Sequence, residues 1–266
     1  MRTKIIAEIS SNHIGDMSLA FEMIAAAAEN GADIVKFQSW REETLIPEWP
    51  DHDWYKKTEL NDNDHFLLKE ECEKKGVDFL TTCFDRKRIN FLSTLGMKFI
   101  KVASPDLASF TMLKELREQF QYIIASTGMS TPEEIKTAAS ILGKGNFAFL
   151  HCVSIYPTPV EKLNLRKIEW LKNFTKNVGL SDHSLGITGA MIAVARGVSF
   201  VEKHFTLDQN LPGKDHKISI LPNELKALSD FRNSVAMADG KELTLTLSDE
   251  EIKTKEKFTG RWGNNK

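Results

Sequence analysis

Short apolar runs rich in Ile, Val and Phe recur along the chain, and each gives way to a longer segment whose apolar positions fall at helical spacing. A run of four to eight β-branched and aromatic residues is the mark of a buried strand, and an i, i+3, i+4 stripe that of a helix packed on one face. The pattern predicts strands at Lys4 to Ser10, Asp33 to Gln38, Asp78 to Cys83, Lys98 to Ala103, Tyr122 to Ser126, Asn146 to Cys152, Asn177 to Ser181 and Ser199 to His204. It predicts helices at Ser18 to Asn30, Asp62 to Lys75, Arg86 to Leu95, Ser109 to Gln119, Thr131 to Leu142, Asn164 to Phe174, Gly186 to Arg196 and Pro222 to Ala238. Eight strands alternating with eight helices suit one closed α/β unit, a (β/α)8 TIM barrel.

Local chemistry fixes several boundaries. Ser130-Thr131-Pro132-Glu133-Glu134 puts a hydroxyl cap, a helix-compatible proline and two acids at the positive end of a helix dipole. Asn30-Gly31, Gly76 and Gly96 follow helical patterns, where a left-handed closing residue is favoured. The stretch Ser39 to Asn61 is too long for an ordinary connection and, with Pro47, Pro50, Trp40, Trp49 and Trp54, too aromatic for a passive linker. It predicts a structured loop over the barrel mouth. The barrel takes residues 1–240, and residues 241–266 form a C-terminal tail with a capped helix start at Ser248-Asp249-Glu250-Glu251-Ile252.

Composition narrows the function classes. The 266 residues allow one large domain with a sizeable core, and 35 basic against 37 acidic residues argue against a chain built to neutralise nucleic acid. The longest clean apolar run, Ala190 to Ala195, is far below the roughly 20 residues needed to span a bilayer. The opening Met1 to Glu8 holds too short an apolar stretch for a signal peptide, so no membrane partner and a cytoplasmic location are expected. Cys72, Cys83 and Cys152 show no C-x-x-C spacing and are expected to be reduced and mostly structural.

In such a barrel the active site is built on the C-terminal ends of the strands. Here those ends are polar: Glu8 to His13, Lys36 to Gln38, Thr81 to Asp85, Lys101 with Ser104 and Asp106, Ser126 to Met129, His151 to Tyr156, Ser181 to His183, and Glu202 to His204. Lys36 and Lys101 pointing into one mouth make an anion site, for which a small phosphorylated acid is the natural guest. At about 4 Å and an effective dielectric near 20, each opposite charge contributes on the order of 4 kcal/mol before desolvation. In the barrel His183 and His204 close adjacent strands, and two imidazoles with an open remainder of the shell suit a borderline divalent ion such as Mn²⁺, Zn²⁺ or Co²⁺. Glu8 and Asp215 stand available beside them. His13 and His216 have weaker cases, and His52 and His65 read as surface loop residues.

The strings Ala7-Glu8-Ile9-Ser10-Ser11-Asn12-His13, Val35-Lys36-Phe37-Gln38, Lys101-Val102-Ala103-Ser104, Ser126-Thr127-Gly128-Met129, Tyr156-Pro157-Thr158-Pro159, Gly179-Leu180-Ser181-Asp182-His183 and Glu202-Lys203-His204-Phe205 resemble, in order, the sialic acid synthase family. The resemblance implies condensation of phosphoenolpyruvate with an N-acetylated hexosamine such as N-acetylmannosamine, giving a sialic-type acid and phosphate by C–O cleavage. It implies that Lys36, Gln38, Thr82, Lys101, Ser104, Ser126 and Ser181 hold phosphoenolpyruvate. His183 and His204 would hold a Mn²⁺-type ion, with Zn²⁺, Co²⁺ or Mg²⁺ as alternatives. Glu8, Asp106, Glu202 and Asp215 would supply acid and base groups, and Tyr156 and Ser154 would touch the sugar. Asp106 stands where the family commonly has Glu, and Ser154 where it often has Asn, so substrate fit is expected to differ. The family usually continues into an antifreeze-like domain that covers the partner's active site in a dimer and supplies an arginine. The chain stops at Lys266, so a homodimer through barrel surfaces, a separate lid protein and Arg261 as a stand-in are the corresponding expectations.

Three rivals share parts of this pattern. A related phosphoenolpyruvate-condensing barrel would take another aldose or a sugar phosphate. A Schiff-base aldolase would use Lys36, Lys101 or Lys203 as nucleophile. A non-catalytic barrel would bind the sugar alone.

Overall fold

The computed structural model describes residues 2–45, 48, 51–143, 146–240 and 242–260, so Pro47, Trp49, Pro50 and Arg261 lie outside the described residues. Eight parallel strands close in chain order: β1 (Lys4–Glu8), β2 (Ile34–Ser39), β3 (Asp78–Cys83), β4 (Ile100–Val102), β5 (Ile123–Ser126), β6 (Phe147–Cys152), β7 (Asn177–Asp182) and β8 (Phe200–His204). The described helices are α1 (Met17–Glu29), α2 (His52–Lys57), α3 (Asp62–Lys74), α4 (Ile89–Thr94), α5 (Phe110–Gln119), α6 (Pro132–Leu142), α7 (Lys167–Leu171), α8 (Thr188–Ala195), α9 (Pro222–Asp239) and α10 (Asp249–Phe258). β1 meets β8 from Lys4 opposite Phe200 to Glu8 opposite His204, which leaves the barrel no free edge.

The period of two along each strand divides the work. Ile6, Ile34, Leu80, Ile124, Ala148, Leu150 and Phe200 pack together as an interior plug, while Ile5, Ala7, Val35, Phe37 and Phe79 pack outward in the larger core beneath the helices. Two residues beyond plug positions, on the same side of their strands, come Glu8, Lys36, Thr82, Ser126, Cys152 and Glu202. The barrel is therefore filled by apolar side chains below and presents polar ones above.

The predicted caps form as expected at α6, where Thr131 accepts from the Glu134 amide at 3.2 Å and Glu134 accepts from the Thr131 amide at 2.7 Å. Such a cap is worth about 1 kcal/mol. β3 keeps its predicted bounds, whereas several other elements are shorter than the pattern predicts. The helix expected from Arg86 opens as a 3-10 turn, Arg86–Arg88, because Asp85 caps the Lys87 amide at 2.9 Å before α4 begins. The helix expected over Asn164 to Phe174 shrinks to α7, since Asn164 takes a left-handed φ of 44° that cannot start a helix. β4 keeps only three residues of the predicted six, and a single pair, Thr82 opposite Lys101, joins it to β3.

The long β2–α3 connection is folded, with a 3-10 turn at Glu42–Thr44 followed by α2. Trp40 meets Tyr55 edge-on at 5.5 Å and donates its indole N–H to the Tyr55 carbonyl at 3.0 Å, while Arg41 pairs with Glu59 at 2.8 Å. The surface-loop expectation for His52 and His65 is corrected: His52 opens α2, and His65 is wholly buried on α3 with Nδ1 2.8 Å from the Asn61 carbonyl. One turn of helix supplies the partner that lets that ring be buried. All three cysteines are buried and unbridged. Among the described residues no helix is long and apolar enough to cross a membrane. Beyond α9 the described tail is exposed, and Ser248 caps α10.

Candidate active site

One cavity of about 940 Å³ opens at the C-terminal ends of the strands. Glu8, Lys36, Gln38, Thr82, Lys101, Ser104, Ser126, Ser154, Tyr156, Ser181, His183, Glu202, His204 and Asp215 all line it. Asp106 is the exception among the predicted residues. It ends the 3-10 turn Ser104–Asp106 and accepts from the Ser109 hydroxyl at 3.2 Å, so the geometry does not bring it to Glu8 and Glu202.

Four buried charges form the floor. Lys36 Nζ lies 2.9 Å from Glu8 Oε2, 3.2 Å from Glu202 Oε1 and 3.0 Å from the Thr82 hydroxyl. Lys101 Nζ donates to the Ser126 hydroxyl at 2.6 Å and stands 4.0 Å from Glu202 Oε2. Gln38 donates to Glu8 Oε1 at 2.8 Å, and Ser181 to Glu202 Oε1 at 3.1 Å. The two carboxyls are driven apart in acidity by their surroundings. Burial raises Glu8 to about 7, against the pull of Lys36 and helped by the Glu202 charge. Burial works the same way on Glu202, but Lys101 and Lys36 together outweigh it and hold that carboxyl far below its usual range. Burial also lowers the Lys101 ammonium to about 8. The floor thus offers cations to an anionic ligand, one firmly ionised carboxylate and one carboxyl that changes charge near neutrality.

His183 and His204 stand with ring centroids 5.4 Å apart, and Tyr156 lies over His183 at 4.1 Å. His183 Nδ1 is 3.1 Å from the Val153 carbonyl, which can only accept, so Nδ1 carries a proton toward it. His204 Nδ1 is buried without a hydrogen-bond partner, 3.6 Å from Asp215 Oδ2. Burial lowers His204 to about 4, aided by His183 and Lys36 and opposed by Asp215, so its imidazole is neutral. A neutral ring with an orphaned nitrogen beside a second oriented ring fits a two-imidazole ion site. Among the described residues no group of three or more His, Cys, Asp or Glu is clustered to hold a metal.

The rim holds Trp54 of the loop predicted to lie over the mouth, together with residues the pattern did not single out. Asp51, Trp54 and Tyr55 come from the β2–α3 connection, and Lys214 and Lys217 from the loop after β8. Trp54 donates its indole N–H to Ser11 at 3.0 Å and packs against Gly213, whose φ of 131° and lack of a side chain permit the approach. Lys214 pairs with Asp51 at 2.5 Å, joining the two segments. Ser10, at a left-handed φ of 54°, turns its hydroxyl to Asp215 at 2.8 Å. Cys152 lines the cavity with its sulfur 3.7 Å from His183 Nδ1. Its position two residues beyond the plug residue Leu150 was the available signal. Lys203 is not among the lining residues; its ammonium is buried against Asp182 and Ser184, which removes it from the Schiff-base candidates.

Known proteins share this fold and much of this sequence. A crystal structure of N-acetylneuraminic acid (sialic acid) synthetase from Leptospira borgpetersenii, in complex with citrate, superposes with a TM-score of 0.88 at 35% identity, covering 97% of this chain and 93% of that one. The N,N'-diacetyllegionaminic acid synthase of Campylobacter jejuni is 38% identical over 262 residues, covering 90% of this chain and 78% of the relative. The N-acetylneuraminate-9-phosphate synthase of Drosophila melanogaster is 35% identical over 272 residues, covering 93% and 73%. The model of the NeuB family matches residues 23–243, and the chain belongs to that family.

Proposed function

We propose that the chain condenses phosphoenolpyruvate with the aldehyde of an N-acetylated hexosamine, giving a sialic-type acid and phosphate. The observation that carries this reading is the pair of buried ammoniums, Lys36 and Lys101, on the floor of an open cavity, in a chain similar to synthases of legionaminic acid and N-acetylneuraminate 9-phosphate. Lys36 and Lys101 would take the carboxylate and phosphate of the donor, with the hydroxyls of Thr82, Ser104, Ser126 and Ser181 as further partners. Tyr156, Ser154 and Asp215, toward the rim, would face the sugar.

The donor's methylene carbon forms the new bond to the acceptor's carbonyl carbon, and a proton goes to the carbonyl oxygen. Glu8, whose carboxyl titrates near 7, suits the holding of that proton. Positive charge then develops at the carbon bearing phosphate, and the ionised Glu202 is placed to stabilise it. Water adds at that carbon and gives up one proton, the resulting hydroxyl gives up its second as the C–O bond breaks, and phosphate leaves with a proton, leaving a keto group behind. His183 and His204 would hold a divalent ion, Mn²⁺ by resemblance, which when bound supplies Lewis-acid polarisation of the acceptor carbonyl. A cytoplasmic setting and a homodimer, or a separate lid protein, belong to this reading as its expected context.

The test is phosphate release from phosphoenolpyruvate with Mn²⁺ across N-acetylmannosamine, its 6-phosphate and diacetamido-trideoxyhexoses. Acceptor-dependent release that disappears in the His183→Ala, His204→Ala double variant supports the reading and names the sugar. Sugar binding without release from any acceptor would overturn it in favour of a binding-only barrel.

A further inference from the structure

The outward side of β7 and β8 carries a buried ion pair that no part of the proposed chemistry uses. Asp182 and Lys203 are opposite each other in the strand register, both almost wholly buried, with Lys203 Nζ 3.3 Å from Asp182 Oδ2. The same ammonium donates to the Ser184 carbonyl at 2.5 Å. Asp182 Oδ1 in turn accepts from the Ser184 amide at 2.9 Å and from its hydroxyl at 2.7 Å. The start of α8 closes over this cluster: a side-chain carbon at Gly189 would come within 3.0 Å of Asp182 Oδ2 and 3.2 Å of the Ser184 hydroxyl.

Two charges removed from water in this way cost several kcal/mol each, and well-packed neutral residues commonly serve stability as well or better. Stability alone therefore gives little reason for the pair. Its position gives a better one. Because side chains alternate along a strand, Asp182 and Lys203 point outward where Ser181, His183, Glu202 and His204 line the cavity. His183 lies between the two residues that the cluster ties together, and His204 follows the lysine that ties them.

We propose that Asp182, Ser184 and Lys203 are positioning residues that fix the strand ends carrying His183 and His204, and so the spacing of the two imidazoles. In its bearing on metal binding this rests on the function proposed above; as a statement about ring placement it stands independently. Loss of residues that orient ligands typically weakens metal affinity about 10- to 100-fold.

The experiment uses the whole chain and two readouts, Mn²⁺ affinity by electron paramagnetic resonance titration and the imidazole ¹³Cε1 and ¹⁵N resonances of His183 and His204 without metal. Lys203→Met alone strands the Asp182 carboxylate and is expected to misfold or melt early. The Asp182→Asn, Lys203→Met double variant keeps an acceptor for Ser184 and removes both charges. It is expected to melt near the parent temperature, bind Mn²⁺ about 10-fold or more weakly, and show shifted resonances for both rings. Ser184→Ala removes one donor and no charge, decides the matter should the double variant not fold, and is expected to weaken Mn²⁺ binding severalfold with shifted rings. Parental Mn²⁺ affinity and unshifted imidazoles in a folded variant would overturn the proposal. A parent protein that binds no Mn²⁺ would overturn the metal reading instead, and the ring resonances alone would then decide the positioning role.

Discussion

Lys36 Nζ stands 2.9 Å from Glu8 Oε2, with both side chains almost wholly buried. A buried ammonium paired this closely is held ionised: burial lowers it, but Glu202 and Glu8 outweigh that and raise it above the ordinary lysine range. Replacing it by methionine removes the charge set between the Glu8 and Glu202 carboxyls and leaves Lys101 as the one floor ammonium of the pair for the donor. Lys36→Met is expected to lower kcat/KM for phosphoenolpyruvate by on the order of 10²-fold or more, read by phosphate release. An unchanged kcat/KM would remove Lys36 from the donor site.

Glu8 sets a pH limb. Its carboxyl titrates near 7 in the folded protein, so it is protonated below that pH and ionised above it. As the acid of the first step it makes kcat/KM fall as pH rises through about 7. Glu8→Gln keeps a hydrogen-bonding side chain that cannot titrate, and its pH profile is expected to lack this limb at a rate lowered by about 10² or more. A limb persisting in the variant would assign it to another group.

The imidazole pair predicts metal dependence. Treatment with a chelator is expected to abolish phosphate release and added Mn²⁺ to restore it, with His204→Ala restored far less well because its neutral ring carries the orphaned nitrogen. Full activity after exhaustive chelation would contradict this.

At the rim, Gly213→Ala brings a methyl to 2.8 Å from Trp54 at a φ of 131° that alanine rarely adopts. The substitution is expected to displace Trp54 and raise KM for the acceptor by severalfold, with KM for phosphoenolpyruvate little changed. Equal effects on both constants would place Trp54 outside the acceptor wall.

His65 makes stability depend on pH. Burial holds its imidazole at about 4, well below the value of 6.5 it takes when unfolded, with the Arg88 charge acting the same way. Between those values the unfolded chain binds a proton that the folded one does not. Stability is therefore complete above pH 6.5 and falls as pH drops toward about 4, by about 3 kcal/mol from this group. His65→Gln is expected to flatten that part of the melting-temperature profile, and an unaltered slope would exclude His65 as its source.

The strand-and-helix alternation determined the barrel because each short apolar run can bury both faces only under a layer of helices, and eight such units close without an edge. It also determined most of the site, since Lys36, Thr82, Ser126 and Glu202 follow plug residues at a spacing of two and must share their side of the strand. The three-dimensional arrangement alone decided the rest. That Asp106 turns to Ser109, that His65 is buried and that Asp51 reaches the rim depend on turn conformations and packing between segments far apart in the chain. It alone also decided the opposite acidities of Glu8 and Glu202, because two chemically equal carboxyls differ in the charges the closed barrel sets beside each.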